Sequence, residues 1–225
     1  MIFAYIIGGL FALIGLFVQN KLRSKFKKYS QVPVASGLSG REIAERMLHH
    51  YGIMDVSIVE GQGTLTDHYN PAKKVVSLSP AVYNGRSVAA AAVASHECGH
   101  AVQHATHYSM LQFRSGIVPV IQIASSMNQY LILGGLLLIG SFPQLLLLAI
   151  ISMSLVTLFS LITLPVEFDA SRRALAWLDS SGMAGSTSEY NGAKDALTWA
   201  AMTYVVAALS SVVMLLYLVL AYSNR

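Results

Sequence analysis

The sequence predicts an α-helical membrane protein with about four transmembrane helices and a small cytoplasmic α+β domain. Three observations carry this. Of 225 residues, 54% are hydrophobic and 12% charged, with a mean hydropathy of +0.55; that is too apolar for an ordinary soluble domain. The apolar residues gather into four long runs. The basic residues, which leave a formal net charge of +4, cluster beside an apolar run instead of tracking a nucleic-acid face, so they read as topology signals in a lipid bilayer.

Residues 1–20 are the first span. The run from Ile2 to Val18 meets Lys21, Arg23, Lys25, Lys27 and Lys28 directly after Gln19 and Asn20. It lacks the basic leader and small-residue cleavage site of a signal peptide. The positive-inside rule makes it an anchor with its N-terminus outside and the next domain in the cytoplasm. Residues 21–115 form that domain. After a loop at 31–37, Ser39-Gly-Arg-Glu42 reads as a capping box, and Ile43, Met47 and Tyr51 continue at helical spacing until Gly52. The alternation of Met54, Val56 and Ile58 predicts a strand, Gly61-Gln-Gly63 a turn, Thr64 to Thr66 a return pairing, and Lys74 to Ser79 a further strand. Such a sheet either accepts an extended peptide at its edge or only packs.

Asn84-Gly85 then reads as a turn, and Ser87 as the N-cap of an alanine-rich helix running to about Thr106. Gly99 is its one helix-weakening residue, present because backbone or substrate passes close by, or simply tolerated. Residues 116–166 predict a membrane hairpin: a span near 118–140, a hinge at Ser141-Phe-Pro-Gln144 and a second span from Leu145 to Pro165. Residues 167–198 are polar, with a helix through Leu178 and a Gly/Ser-rich link at 180–188. Arg114 before the hairpin and Arg172 and Arg173 after it mark this side as cytoplasmic. Residues 199–225 hold the last span.

The alanine-rich helix carries His96-Glu97-Cys98-Gly99-His100, the pattern H-E-x-x-H. On a helix the two histidines share a face about 6 Å apart along the axis, so both can reach one ion. Zinc takes imidazole nitrogen at roughly 2.0–2.1 Å and keeps a position open for water in catalytic sites. Glu97 is placed to take a proton from that water without ligating the metal. The plainer alternative is two ordinary histidines on a surface helix, so a third ligand is required. Cys98, the single cysteine, faces away from the histidines and is expected to be packed.

His104 lies about 12 Å along the axis from His96, too far for one ion. The pattern H-E-x-x-H-x-x-G-x-x-H requires Gly and His where the chain has Gln103 and Thr106, and His107 reads as an end-of-helix residue. Glu167 remains. A His, His, Glu set is an established catalytic-zinc combination, although an acid after Pro165 also suits the start of a new helix. The hairpin returns this segment to the motif's side, which favours the ligand.

Four segments, Lys25-Phe-Lys-Lys-Tyr-Ser30, Leu65-Thr-Asp-His-Tyr-Asn-Pro71, Ala94-Ser-His-Glu-Cys-Gly-His-Ala101 and Leu164-Pro-Val-Glu-Phe-Asp-Ala-Ser-Arg-Arg173, resemble the YugP-type membrane zinc metallopeptidases. The resemblance runs along nearly the whole chain. More distantly the sequence resembles the HtpX-type and CAAX-prenyl membrane proteases, which pair H-E-x-x-H with a later E-x-x-x-D. The resemblance implies a zincin-like, zinc-dependent membrane protease acting on polypeptides. His96, His100 and Glu167 would hold Zn2+, with Glu97 as base. One position departs: the expected aspartate four residues after the glutamate is Ser171, a weaker support for a ligand histidine. Asp169, two residues from Glu167, is expected to face elsewhere. His68, Tyr69, Arg172 and Arg173 are candidate oxyanion donors, though for each a structural role, as a turn hydrogen bond or an interfacial charge, is the stronger reading.

Three alternatives compete. A non-catalytic metal-binding membrane scaffold has no need of Glu97 beside its ligands. An intramembrane protease would place residues 96–107 in lipid, for which they are too polar, and Leu178-Asp179-Ser180 only half fits its Leu-Asp-Gly. A transporter would need ionisable residues within the spans, and the spans as drawn carry none.

Overall fold

The computed structural model describes residues 2–224. The described chain is mostly helical, with a small three-stranded sheet: α1 (Ile2–Ser30), α2 (Gly40–His50), β1 (Ser57–Glu60), β2 (His68–Asn70), β3 (Val75–Leu78), α3 (Pro80–Tyr83), α4 (Val88–Ala105), α5 (Ser109–Leu137), α6 (Pro143–Ser180) and α7 (Thr187–Ser223). Four of the helices, α1, α5, α6 and α7, are long and apolar enough to cross a membrane. The chain divides into two compact units.

One unit comprises Asn20–Leu111 and Val166–Ala201. Its core gathers Ile43, Met47, Val76, Leu78, Val82, Val88, Val102, Trp177 and Leu178, with the alanines of α4. α2 opens on the capping box: the Ser39 side chain accepts from the Glu42 N–H and the Glu42 carboxylate accepts from the Ser39 N–H. Gly52, at φ 67°, ends it, where a Cβ would be strained. α4 starts from Ser87, whose hydroxyl accepts from the Ala90 N–H. The incoming loop pins that end, because the Val34 N–H donates to the Arg86 carbonyl and the Val88 N–H to the Val32 carbonyl. Small side chains on α4 let α2 and the sheet approach closely.

The sheet order is β1-β3-β2, with β1 parallel and β2 antiparallel to β3. The return strand is therefore His68–Asn70, and the expected pairing of Thr64 to Thr66 does not form. Leu65 adopts a left-handed φ of 57° and the Thr66 hydroxyl donates to the Gln62 carbonyl at 2.7 Å, which closes those residues into a turn.

The other unit holds the apolar parts of α1, α5, α6 and α7. Leu146, Ala149, Met153 and Leu218 form its buried centre, while Phe3, Leu13, Ile123, Tyr130 and Leu148 stand exposed. Helices apolar all round with outward-facing large side chains call for an apolar solvent. Between helices, the Ser152 hydroxyl donates to the Ala124 carbonyl and the Thr157 hydroxyl to the Ser211 carbonyl, the hydroxyl-to-backbone pairing that suits lipid-embedded bundles.

Two boundaries differ from expectation. α5 begins at Ser109, ahead of the expected span at 118–140, and contains Pro119. α6 runs without a break through Pro165 to Ser180. Proline lacks an N–H and weakens one turn, yet long apolar helices tolerate it. Glu167 thus lies inside a helix, which removes the reading of it as a helix-start residue.

Candidate metal centre

His96, His100 and Glu167 converge. A ring nitrogen from each histidine and one carboxylate oxygen all lie within 4.8 Å of one another. His96 and His100 are one turn apart on α4, with ring centroids 4.9 Å apart and planes at 80°. The Glu167 Oε2 atom sits 3.3 Å from His96 Nε2 and 3.6 Å from His100 Nε2. Charge-assisted N–H···O bonds are usually shorter, about 2.7–2.9 Å. Two donors each about 2.1 Å from one tetrahedral ion are instead about 3.4 Å apart, so the spacing fits a shared ion.

Glycine at 99 makes this convergence sterically possible. A Cβ there would meet the Ala170 carbonyl oxygen at 2.6 Å, with the Ala170 carbonyl carbon and Cα at 3.1 Å. α4 and α6 therefore touch backbone to backbone one residue before His100 and three after Glu167. Of the two sequence readings of Gly99, close passage of backbone is the one the structure bears out. Glu97, 8% exposed, follows His96 on the same turn. Cys98 is fully buried beneath the motif with its thiol directed at the Ala44 carbonyl, and burial raises its pKa far above the usual thiol range.

Each histidine is held by its other nitrogen. His96 Nδ1 lies 3.1 Å from the Ser171 hydroxyl, so serine does occupy the supporting position that the departure from E-x-x-x-D left in question. His100 Nδ1 lies 3.0 Å from Gln103 Oε1. Gln103 is fully buried, and its amide nitrogen donates to the Val166 carbonyl at 2.8 Å and to Asp169 Oδ2 at 2.9 Å. Asp169 is therefore part of the site's surroundings, which corrects the expectation that it faces away. Helical spacing did turn it from Glu167, yet that turn directs it at α4.

Burial opposes charge on His100, but the adjoining Glu167 carboxylate, aided by Glu97, outweighs it and raises the imidazole's pKa. For Glu167, beyond the apolar run of α6, burial pushes upward. The two adjoining imidazoles, His100 and then His96, prevail and hold the carboxyl well below its ordinary range. The donor set, one carboxylate and two imidazoles with their Nδ1 atoms engaged elsewhere, suits zinc.

The proposed oxyanion donors have other partners. His68 Nδ1 pairs with the Thr66 carbonyl at 2.9 Å, and the Tyr69 hydroxyl with His104 Nδ1 at 2.7 Å. Arg172 and Arg173 both bind the Asp169 carboxylate. His104 is thus engaged by β2, and His107 takes a left-handed φ of 53° just past the end of α4. Gln103 was visible in the sequence only as a mismatch to another motif. Its place at i+7 from His96 and i+3 from His100 was the available signal.

The chain is 47% identical over 215 residues to the "Putative membrane protease YugP" of Bacillus subtilis (strain 168), covering 95% of this chain and 94% of that protein. No solved structure matches. Residues 4–223 match the family described as "Putative neutral zinc metallopeptidase", and the chain belongs to that family.

Proposed function

We propose that this chain is a multi-span membrane zinc protease that hydrolyses peptide bonds at the cytoplasmic membrane face. The single observation that carries the reading is the convergence of His96, His100 and Glu167 donors within 4.8 Å, with Glu97 next to His96 in the chain. His96 and His100 would hold zinc through Nε2 and Glu167 through a carboxylate oxygen. When bound, the ion supplies Lewis acidity, acidifying water and polarising a substrate carbonyl. Glu97 accepts the proton of the attacking water and passes it to the leaving amine nitrogen. Ser171 and Gln103 keep the two imidazoles oriented. Family membership and the relative's printed name support the chemistry, and the basic residues at 21–28, 114 and 172–173 support the cytoplasmic side. On this reading, residues 21–115 and 167–198 are the cytoplasmic catalytic part, and 1–20, 116–166 and 199–225 the membrane part.

The test is cleavage of an unfolded protein by the detergent-purified chain, with zinc measured alongside. Chelator should abolish cleavage and zinc restore it. Glu97→Gln should lose about 10²–10⁴-fold in activity while keeping one zinc per chain. Zinc binding without cleavage by the unaltered chain would instead establish a metal-binding scaffold.

A further inference from the structure

We infer that Gln103 is a positioning residue that fixes the tautomer and orientation of His100, and that Asp169, clamped by two arginines, keeps Gln103 in place. This rests on the zinc reading above and adds to it a relay from α6 back to α4. The argument is one of donors and acceptors. A side-chain amide has two N–H donors on nitrogen and only lone pairs on oxygen. The Gln103 nitrogen faces the Val166 carbonyl and the Asp169 carboxylate, both of which only accept. Turning the amide over would set oxygen against two oxygens, so its direction is determined by its partners. Oε1 then faces His100 Nδ1 at 3.0 Å, and that contact is a bond only if Nδ1 carries hydrogen. In the neutral ring Nε2 is left with its lone pair, directed at the Glu167 carboxylate side where an ion would sit.

The two histidines differ here. A hydroxyl can donate or accept, so Ser171 orients His96 without selecting its tautomer. Gln103 does both for His100. Burying a glutamine completely is costly unless every polar atom is paired, and here each one is. Asp169 is itself nearly buried, its side chain 5% exposed. It accepts from Arg173 Nε at 2.5 Å and from Arg172, which gives these arginines a task in this relay. Arg173 is in turn set over the Tyr108 ring at 5.8 Å.

The test uses the full chain in detergent, with zinc affinity measured by competition against a chromophoric chelator. His100→Ala should abolish tight binding. Gln103→Met, similar in length but unable to pair, should weaken zinc binding about 10–100-fold. Gln103→Glu sets two carboxylates together and should weaken it as well. Separately, ¹⁵N-histidine spectra of the zinc-free unaltered chain at alkaline pH, where the ring is neutral, with His100 assigned from its loss in His100→Ala, should show hydrogen on Nδ1. That spectrum decides even if Gln103→Met does not fold. Wild-type zinc affinity in Gln103→Met, or His100 with a bare Nδ1, overturns the inference and leaves the metal reading intact. Zinc retained in His100→Ala removes the metal reading itself.

Discussion

At the scale of single residues, the site depends on which nitrogen of each imidazole is occupied elsewhere. Both Nδ1 atoms have a partner, Ser171 for His96 and Gln103 for His100, so both Nε2 atoms turn toward Glu167. Replacing Glu167 with Ala should therefore leave two imidazoles without their third donor, and bound zinc should fall from one per chain to near zero by metal analysis after dialysis. Ser171→Ala should be milder, because one neutral hydrogen bond is worth about 0.5–1.5 kcal/mol; a zinc affinity lowered less than about tenfold is the expected result. The convergence of His96, His100 and Glu167 was legible from spacing, since H-E-x-x-H puts two histidines on one face and a returning carboxylate completes a known combination. Asp169 was not legible. The periodicity of α6 correctly turned it away from Glu167, but no residue count reveals that α4 presents Gln103 on that side.

At the scale of elements, the contact between α4 and α6 decides whether the donors meet. Gly99 lies where a Cβ would meet the Ala170 carbonyl oxygen at 2.6 Å. Helix propensity alone favours alanine over glycine by about 1 kcal/mol, whereas crowding two helix backbones costs about 1–3 kcal/mol. Gly99→Ala should thus destabilise the protein and weaken zinc binding, read as a lowered melting temperature and chelator competition; a stabilised protein would show that the helices can part freely. A second pin joins α1 to α7, where Asp195 accepts from Lys25 Nζ at 2.6 Å and from the Tyr29 hydroxyl at 2.7 Å. Burial alone would raise the Asp195 pKa, but the bonds from Lys25 and Tyr29 hold it below the ordinary carboxylate value, and the same carboxylate pushes Tyr29 up to about 12. A depressed carboxyl contributes stability above its unfolded pKa and loses it as pH falls through the folded one. Asp195→Asn should cost about 1–2 kcal/mol near neutral pH, and the gap should close on acidification below about pH 4. The caps of α2 and α4 were plain in the sequence because Ser39, Glu42 and Ser87 act locally. The strand pairing and the unbroken course of α6 were not. Leu65 turning left-handed and Pro165 continuing a helix each depend on the surrounding structure more than on neighbouring residues.

At the scale of the whole molecule, the proposed topology, which rests on the four long apolar helices and the placement of basic residues, puts the proposed catalytic part in the cytoplasm. In a Cys98→Ser background, a cysteine placed in the loop at 181–186 should react with a membrane-impermeant thiol reagent only after the membrane is opened. One placed at 140–142 should react in intact cells. The four long apolar helices were readable from composition, as hydrophobic length is a property of sequence alone, while the mixed order of the small sheet emerged only from packing. The central claim is that two imidazoles of α4 and one carboxylate of α6 share a zinc ion, and anomalous scattering from a crystal at the zinc edge tests it most directly. One peak within about 2.2 Å of His96 Nε2, His100 Nε2 and a Glu167 oxygen is the expected result; a zinc peak elsewhere in the chain, with these three side chains bare, would contradict it.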